Sequence, residues 1–525
     1  MALLLRDIKV PADRPAVDPT LLVAECLGLP PKRVRKAEIR RRSIDARRKP
    51  RLFYILTVAF EADDEAELLR RHSNLVRFEP PTIPEIVSLA NRPSVVVVGM
   101  GPAGLFAALD LARAGAGVTL LERGRPVERR IRDVERFWKG GGLDAASNVQ
   151  FGEGGAGTFS DGKLTTRINH PDIRRILQTL VDCGAPADIL IDAKPHIGSD
   201  RLRAVLIRFR RLLQALGVDI RFESCLTDIE LNGDRVAGAV VNGSESLACD
   251  ALVLAPGHSA RDTYAMLERR GVRLESKAFA VGLRVAHPAE LINRIQYGAL
   301  RPVVGAADYR LAWNDPETGR GVYSFCMCPG GEIINASSEP GGLVVNGMSR
   351  RRRDAPWSNS ALVVSVGPED FGPGVLDGVG FQRRLEQRAW HLGGGSDLAP
   401  AQNLLAFLGQ GNGPVPDVCR PGVVEADLRD LLPPDLVPPL RRGIRQFDRK
   451  MRGFVTAEAV LVGIESRTSA PVRILRGENG ASVSHPGLFP AGEGAGYAGG
   501  IMSAALDGIR AAGSIMKYLS AREET

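Results

Sequence analysis

The sequence predicts an α/β protein in three parts. A parallel-sheet domain is interrupted by a β-meander, a mixed α/β segment is inserted into it, and a small β-α-β-β-α-β domain precedes it. Three observations predict this. Four valines, Val95 to Val98, run into a glycine turn, Gly99, Gly101 and Gly104, and then into an apolar helix over 105–114. Hairpin signals at Asn232-Gly233-Asp234 and Asn242-Gly243 cut residues 219–250 into short strands. At 525 residues the chain has room for two or three domains, each with a sizeable core.

The elements follow in order. Residues 3–10 alternate enough for a strand, 19–29 form a short helix, and 34–44 and 52–60 are strands joined by the basic turn Arg47-Arg48-Lys49-Pro50. Residues 64–72 form a helix opened by acids, which suits its dipole, and 75–78 a last short strand. This order is that of a ferredoxin-like sandwich. Pro80, Pro81 and Pro84 mark the linker that ends it. The expected division is a basic domain over 1–90, a nucleotide-binding domain over 91–284 and 456–525, and an inserted substrate or cap domain over 285–455. Residues 201–216 read as an amphipathic helix, and 219–231, 235–241 and 246–250 as the meander. The buried strand 251–255 then stops at Pro256-Gly257. A helix over about 503–519 closes the chain.

The glycine turn carries chemistry. Gly99 permits a tight turn, Gly101 lets the backbone approach a pyrophosphate, and Gly104 lets helix pack close to strand. Pro102 and Ala103 open the helix, whose free N–H groups point at phosphate. About twenty residues on, at the end of the next strand, Glu122 can accept from both hydroxyls of an adenosine ribose, with Arg123 beside it. A second glycine run, 151–164, is too dense in glycine for a helix or strand interior. Gly154, Gly155 and Gly157 suit a loop lying on a flat ring or pyrophosphate; Thr158 and Ser160 can bond its oxygens, and Lys163 can offset negative charge. The plain alternative is a mobile surface loop.

The layout resembles the glutathione-reductase-type flavoprotein superfamily. The resemblance rests on the meander within the domain, the segment 489–493 ending in Gly492-Glu493, and the helix opened by Gly499-Gly500-Ile501. It implies FAD as cofactor in a Rossmann-like domain, with Leu226, Ala255 and Gly257 passing close to it. An acid after Gly492 would meet the ribityl chain or a phosphate. Most members carry Asp there, and Glu493 is one methylene longer. The helix end would face the flavin edge where charge collects on reduction. The whole chain is most similar to a bacterial family of uncharacterised FAD-dependent dehydrogenases with a ferredoxin-like N-terminal domain. Residues 151–164, 324–331, 346–349, 465–469 and 492–508 carry that similarity. It implies hydride transfer between a small organic substrate and flavin N5, and names no substrate.

Composition bounds the rest. Seven scattered cysteines argue against a disulfide framework and for a reducing compartment. The first residues lack a secretory leader, and no apolar window reaches the roughly 20 residues of a membrane span. A cytoplasmic protein is expected. The net charge is +8, and eleven cations between Lys32 and Arg51 face only Glu38 and Asp45. Arg350 to Arg353 form a second basic run. Such runs bind nucleic acid or anionic partners, or are simply a solvated strand face and a surface loop.

Candidate catalytic residues are few. Cys326 and Cys328, two apart on a strand, can share a face and exchange with flavin; packing near the pocket is the plain reading. Arg467 can hold a carboxylate substrate or pair internally with Glu465. His258 can carry a proton or help enter a helix beside Ser259. Lys163 is the remaining candidate. The histidines are dispersed, and no metal site is expected. A single dinucleotide fingerprint favours direct substrate oxidation, with transient NAD(P)H docking as in hydroxylases the alternative. A tRNA-modifying flavoprotein is a further class, raised by the basic first domain.

Overall fold

A computed structural model describes residues 2–14, 18–79, 86–298 and 304–523. The linker prolines Pro80, Pro81 and Pro84 lie outside them. The first unit is one antiparallel sheet in the order Val34–Asp45, Phe53–Ala62, Ala2–Pro11, Leu75–Phe78. Helices Pro19–Leu27 and Glu65–Arg71 accompany it. Leu3 and Leu5, and Val58 and Phe60, repeat every second residue and so fall on one face, where they meet Leu22 and Val23 in a small core.

The outer strand of this sheet is not left open. Arg42 N–H donates to the Ile191 carbonyl at 2.7 Å, Ala193 N–H donates to the Arg42 carbonyl at 2.8 Å, and Arg42 Nε donates to Asp192 at 2.7 Å. The edge thus pairs with the next domain. Six of the eleven cations in the basic run sit in ion pairs: Arg33–Asp64, Arg35–Asp63, Lys36–Glu61, Arg40–Glu38, Arg42–Asp192 and Arg47–Asp45.

The second unit holds a five-stranded parallel sheet in the order Leu488–Pro490, Ala251–Leu254, Ser94–Val98, Gly117–Leu121, Asp219–Arg221. Its central strands are buried on both faces, which is why they read as unbroken apolar runs. The meander is Leu226–Asn232, Arg235–Val241 and Glu245–Ala248. The single strand expected over 219–231 is therefore two. Glu223 takes a left-handed backbone, φ +54°, and turns the chain between them. Helix Pro102–Arg113 packs on the closing helix Ile501–Glu523. There a Cβ on Gly508 would lie 2.0 Å from the Ala103 carbonyl oxygen, so only glycine allows the approach.

A seven-stranded sheet forms the rest, in the order Ala312–Asn314, Gly321–Cys328, Trp357–Val366, Phe279–Pro288, Val460–Glu465, Ala399–Asn403, Val423–Glu425. Its strands reach from Phe279 to Glu465, past both ends of the expected 285–455 segment. Helices Asp377–Leu392 and Val437–Lys450 pack against it. No helix among the described residues is long and apolar enough to cross a membrane.

Candidate functional site

The glycine turn is built as its sequence requires. Gly99 has φ +95°, and a Cβ there would sit 2.2 Å from the Ala255 carbonyl oxygen. A Cβ on Gly104 would lie 1.8 Å from the Gly99 carbonyl oxygen, so helix and strand touch through their backbones. Gly101 instead faces open space. No side chain caps helix Pro102–Arg113 at that end, which leaves its first-turn amides for an anion.

Glu122 differs from expectation. Its Oε2 accepts from Met100 N at 2.9 Å, and its Oε1 from Gly124 N and Gly152 N, each at 2.9 Å. A carboxylate offers roughly four lone-pair positions. One remains without a protein donor, and the carboxylate ties the turn to the second glycine loop.

That loop is held from beneath by Arg130, which is fully buried. Its guanidinium donates to the carbonyls of Asn148, Val149, Gly152, Glu153 and Gly155 and to Thr158 Oγ1. Desolvation lowers this arginine to about 10, still charged near neutrality. Thr158 points inward to Arg130 and the Glu153 carbonyl, and does not line the cavity. Gly154 likewise packs inward, where a Cβ would strike Thr158 and Leu206. Gly155 lies beside Gly101, and Gly157 beside Ile501. The loop is therefore a fixed wall, with Ser160 bonded to its own backbone.

The carboxy-terminal glycines meet the first turn. A Cβ on Gly492 would lie 2.8 Å from the Ala103 Cβ, and one on Gly494 would lie 2.5 Å from the Gly257 carbonyl oxygen. Buried Asp507 accepts from Gly492 N at 2.7 Å and pairs with Arg476, fixing that bend. Gly257, Gly499 and Gly500 border open space. Glu493 also lines the cavity; its carboxyl has no hydrogen-bond partner among the described residues, and burial pushes it up to about 7.

One cavity of about 1250 Å³ joins these parts. It is larger than the ~300–1,000 Å³ of usual small-molecule pockets. Of the expected contacts, Gly99, Gly101, Pro102, Ala103, Glu122, Arg123, Gly155, Gly157, Lys163, Leu226, Ala255, Gly257, Gly492, Glu493, Gly499, Gly500 and Ile501 line it; Gly104, Gly154 and Thr158 do not. Arg42, Ile44 and Tyr54 of the first unit form part of its wall.

The catalytic candidates all line the cavity, in altered roles. The strand carrying Cys326 and Cys328 bulges between Phe325 and Cys328, and Cys326 takes φ +41°. The two thiols therefore do not share a face: Cys326 is exposed and Cys328 buried. Partial desolvation at the cavity wall raises both, so both remain thiols at neutral pH. Arg467 pairs with Glu386, not Glu465, through Nε at 2.9 Å and Nη2 at 2.7 Å. Its Nη1 serves Ser259 and Ser338, so little of it is left for a substrate. His258 hydrogen-bonds Ser259 at 2.9 Å, and burial lowers it to about 4. Lys163 lies 3.7 Å from Asp161, whose carboxylate Arg353 grips with two bonds. The second basic run is thus partly internal. Arg353 holds Asp161, and Arg351 holds Asp188.

Sequence reading missed Arg130, Asp507, Arg284 and Gln150. Gln150 lines the cavity with a buried Oε1 that has no partner among the described residues, an acceptor awaiting a donor. FAD carries such donors on its ring and its sugar chains. An open pyrophosphate turn, one free acceptor position on Glu122, the Gln150 acceptor and glycines around open space fit this cofactor.

Comparison with known proteins agrees. Residues 94–158 match a family described as FAD binding domain, and residues 278–468 one described as FAD-dependent protein, C-terminal domain-like. Residues 6–61 match a domain of unknown function. An uncharacterized protein of Clostridium beijerinckii is 46% identical over 508 residues, covering 94% of this chain and 95% of that one. Among solved structures, CtdE in complex with FAD is 13% identical with a TM-score of 0.31, covering 83% of this chain and 89% of that one. The flavin-dependent halogenase CmlS is 15% identical with a TM-score of 0.37, covering 83% and 60%. The cofactor is FAD.

Proposed function

Because the chain belongs to the same family as the uncharacterized Clostridium beijerinckii protein and itself matches an FAD binding domain and an FAD-dependent C-terminal domain, we propose that it is a dehydrogenase of a small organic substrate. The observation that carries this is the single cavity running from the pyrophosphate turn to the seven-stranded sheet. It gives one chamber where cofactor and substrate meet. When bound, FAD supplies two-electron chemistry by taking hydride from the substrate.

The protein's own residues do the rest. The amides after Gly101 and the charge of helix Pro102–Arg113 hold the pyrophosphate. Glu122 and Gln150 would accept hydrogen bonds from the cofactor, and the loop fixed by Arg130 would form one wall of its site. Tyr54, Tyr297, Tyr309, Tyr323 and Phe325 give the cavity an aromatic lining, beside charged residues that include Lys163, Arg310 and Asp308, which suits a molecule with an apolar body and a polar group. In this reading the first unit is a ferredoxin-like wall of the chamber rather than a nucleic-acid module. The overall layout is of the glutathione-reductase type.

The test is spectroscopic. Purified protein should be yellow with one FAD per chain, and an anaerobic panel of alcohols, hydroxy acids and amines should contain a compound that bleaches it. A colourless protein that cannot be reconstituted would remove the reading. Rapid NAD(P)H oxidation with oxygen uptake would replace it by a hydroxylase. A salt-sensitive shift of tRNA would point to the first unit as an RNA module.

A further inference from the structure

Glu465 ends strand Val460–Glu465 and is 3% exposed. Its neighbour Arg284, on the adjacent strand Phe279–Pro288, is fully buried. Arg284 Nε donates to Glu465 Oε2 at 2.9 Å. The other nitrogens of Arg284 reach Asn359 Oδ1 at 2.7 Å, the Cys326 carbonyl at 3.3 Å and Asn346 Oδ1 at 3.3 Å. The guanidinium is thus locked by three further strands and can hold the carboxyl in one orientation.

Only one oxygen of Glu465 is used. Oε1 has no hydrogen-bond partner among the described residues, is not sealed from solvent, and belongs to a residue that lines the cavity. Buried Glu153 also leaves one oxygen unpartnered beside its arginine, but it does not line the cavity. Two further buried acids are fully engaged. Glu386 has both oxygens taken, by Arg261, Arg467 and Ser466, and its pair of arginines holds it far below the carboxylate range. Arg353 takes both oxygens of Asp161. Those are structural ion pairs. An ion pair that occupies half a carboxylate and turns the other half to a chamber is built differently.

The geometry points to Glu465 as the catalytic base of the chamber, with Arg284 as its positioning residue. This rests on the dehydrogenase reading and names its substrate class: an alcohol or amine with hydrogen on the carbon bearing the O–H or N–H. As that carbon's hydrogen and two electrons leave as hydride to the cofactor, Glu465 Oε1 takes the proton from oxygen or nitrogen. The C=O or C=N bond forms, and the proton later leaves to water. Desolvation supports this role, since it raises Glu465 despite Arg284. The charged and titratable groups around the site are Arg284, the thiols of Cys326 and Cys328 on the strand beyond it, and Lys163, the foremost cation acting on both thiols.

Two experiments decide. First, the FAD-loaded protein is treated at a series of pH values from mildly acidic to neutral with a water-soluble carbodiimide and glycine ethyl ester, and the sites are mapped by peptide mass spectrometry. Glu465 should be labelled toward the acidic end of the series, with labelling falling as it ionises, while Glu386 and Asp161 are not labelled at any pH. A Glu465 unlabelled throughout the series in protein that retains FAD overturns the proposal. Second, Glu465→Gln should bind FAD as before. It should slow anaerobic bleaching by any active panel compound about 100-fold or more. The acid limb of the rate–pH profile should flatten, with partial recovery in Glu465→Asp. An undiminished rate overturns the proposal. If no compound bleaches the flavin, the dehydrogenase reading fails on its own, and the labelling map still reports on Glu465.

Discussion

Arg130 and Glu493 show how single side chains set this site. No carboxylate of the described residues is in ion-pair contact with Arg130, although Glu122 and Glu153 act on it from nearby; six acceptors of the glycine loop take its hydrogen bonds. Removing it leaves five buried carbonyls short of a donor. Arg130→Met should therefore cost about 3 kcal/mol or more in denaturant unfolding and release FAD, read from the loss of visible absorbance. Glu493 gives a pH signature. Its carboxyl is raised from 4.5 to about 7 by burial, with Lys277 only partly offsetting this. The folded form therefore binds its proton more tightly than the unfolded chain does. The stability this gives is complete below 4.5 and lost as pH rises to about 7. The melting temperature of FAD-free protein should fall across that window, and Glu493→Gln should flatten the fall. An identical slope in the variant would place the titration elsewhere. Gly99 was legible because a tight turn with positive φ dictates glycine locally. Arg130 was not, because its partners are backbone carbonyls, which leave no residue signature.

At the scale of elements, the two helices that cradle the phosphate turn are kept close by one glycine. Gly508→Val would drive a side chain into the Ala103 backbone, and overpacking of this kind costs about 1–3 kcal/mol. It should lower the melting temperature and FAD retention together. Gly513 on the same helix faces open space, so Gly513→Ala should instead stabilise by about 0.5–1 kcal/mol in the same assay. Most helices and strands were readable from periodicity and turn residues. The exceptions share a cause. The break at Glu223 and the bulge at Cys326 are both non-glycine residues in left-handed backbone, held there by tertiary contacts that no local pattern announces. The pairing of Arg467 with Glu386 was hidden likewise, since eighty-one positions separate them.

At the scale of the molecule, the parallel sheet, the meander, the seven-stranded sheet and the first unit all converge on one chamber. A ligand that binds the folded chain alone stabilises it by mass action, about 2.7 kcal/mol at a hundredfold excess over Kd. Titrating FAD into stripped protein should raise the melting temperature steadily with concentration; no change would mean the chamber is not its site. The sequence made the cofactor's turn plain but not the role of the first unit. Its basic strand invited an electrostatic reading, whereas Arg42 is consumed by Asp192 and by the chain at Ile191 and Ala193.

That docking has a consequence for recognition. Arg42 and Tyr54 belong both to the seam between units and to the chamber wall. Any molecule that grips them is thermodynamically linked to the seam: whatever factor it adds to the attachment of the amino-terminal unit, that attachment returns to its own affinity. Selectivity for the reacting compound is thus written partly in residues that carry none of the chemistry, and variation along this seam can retune what is accepted while leaving the redox centre untouched.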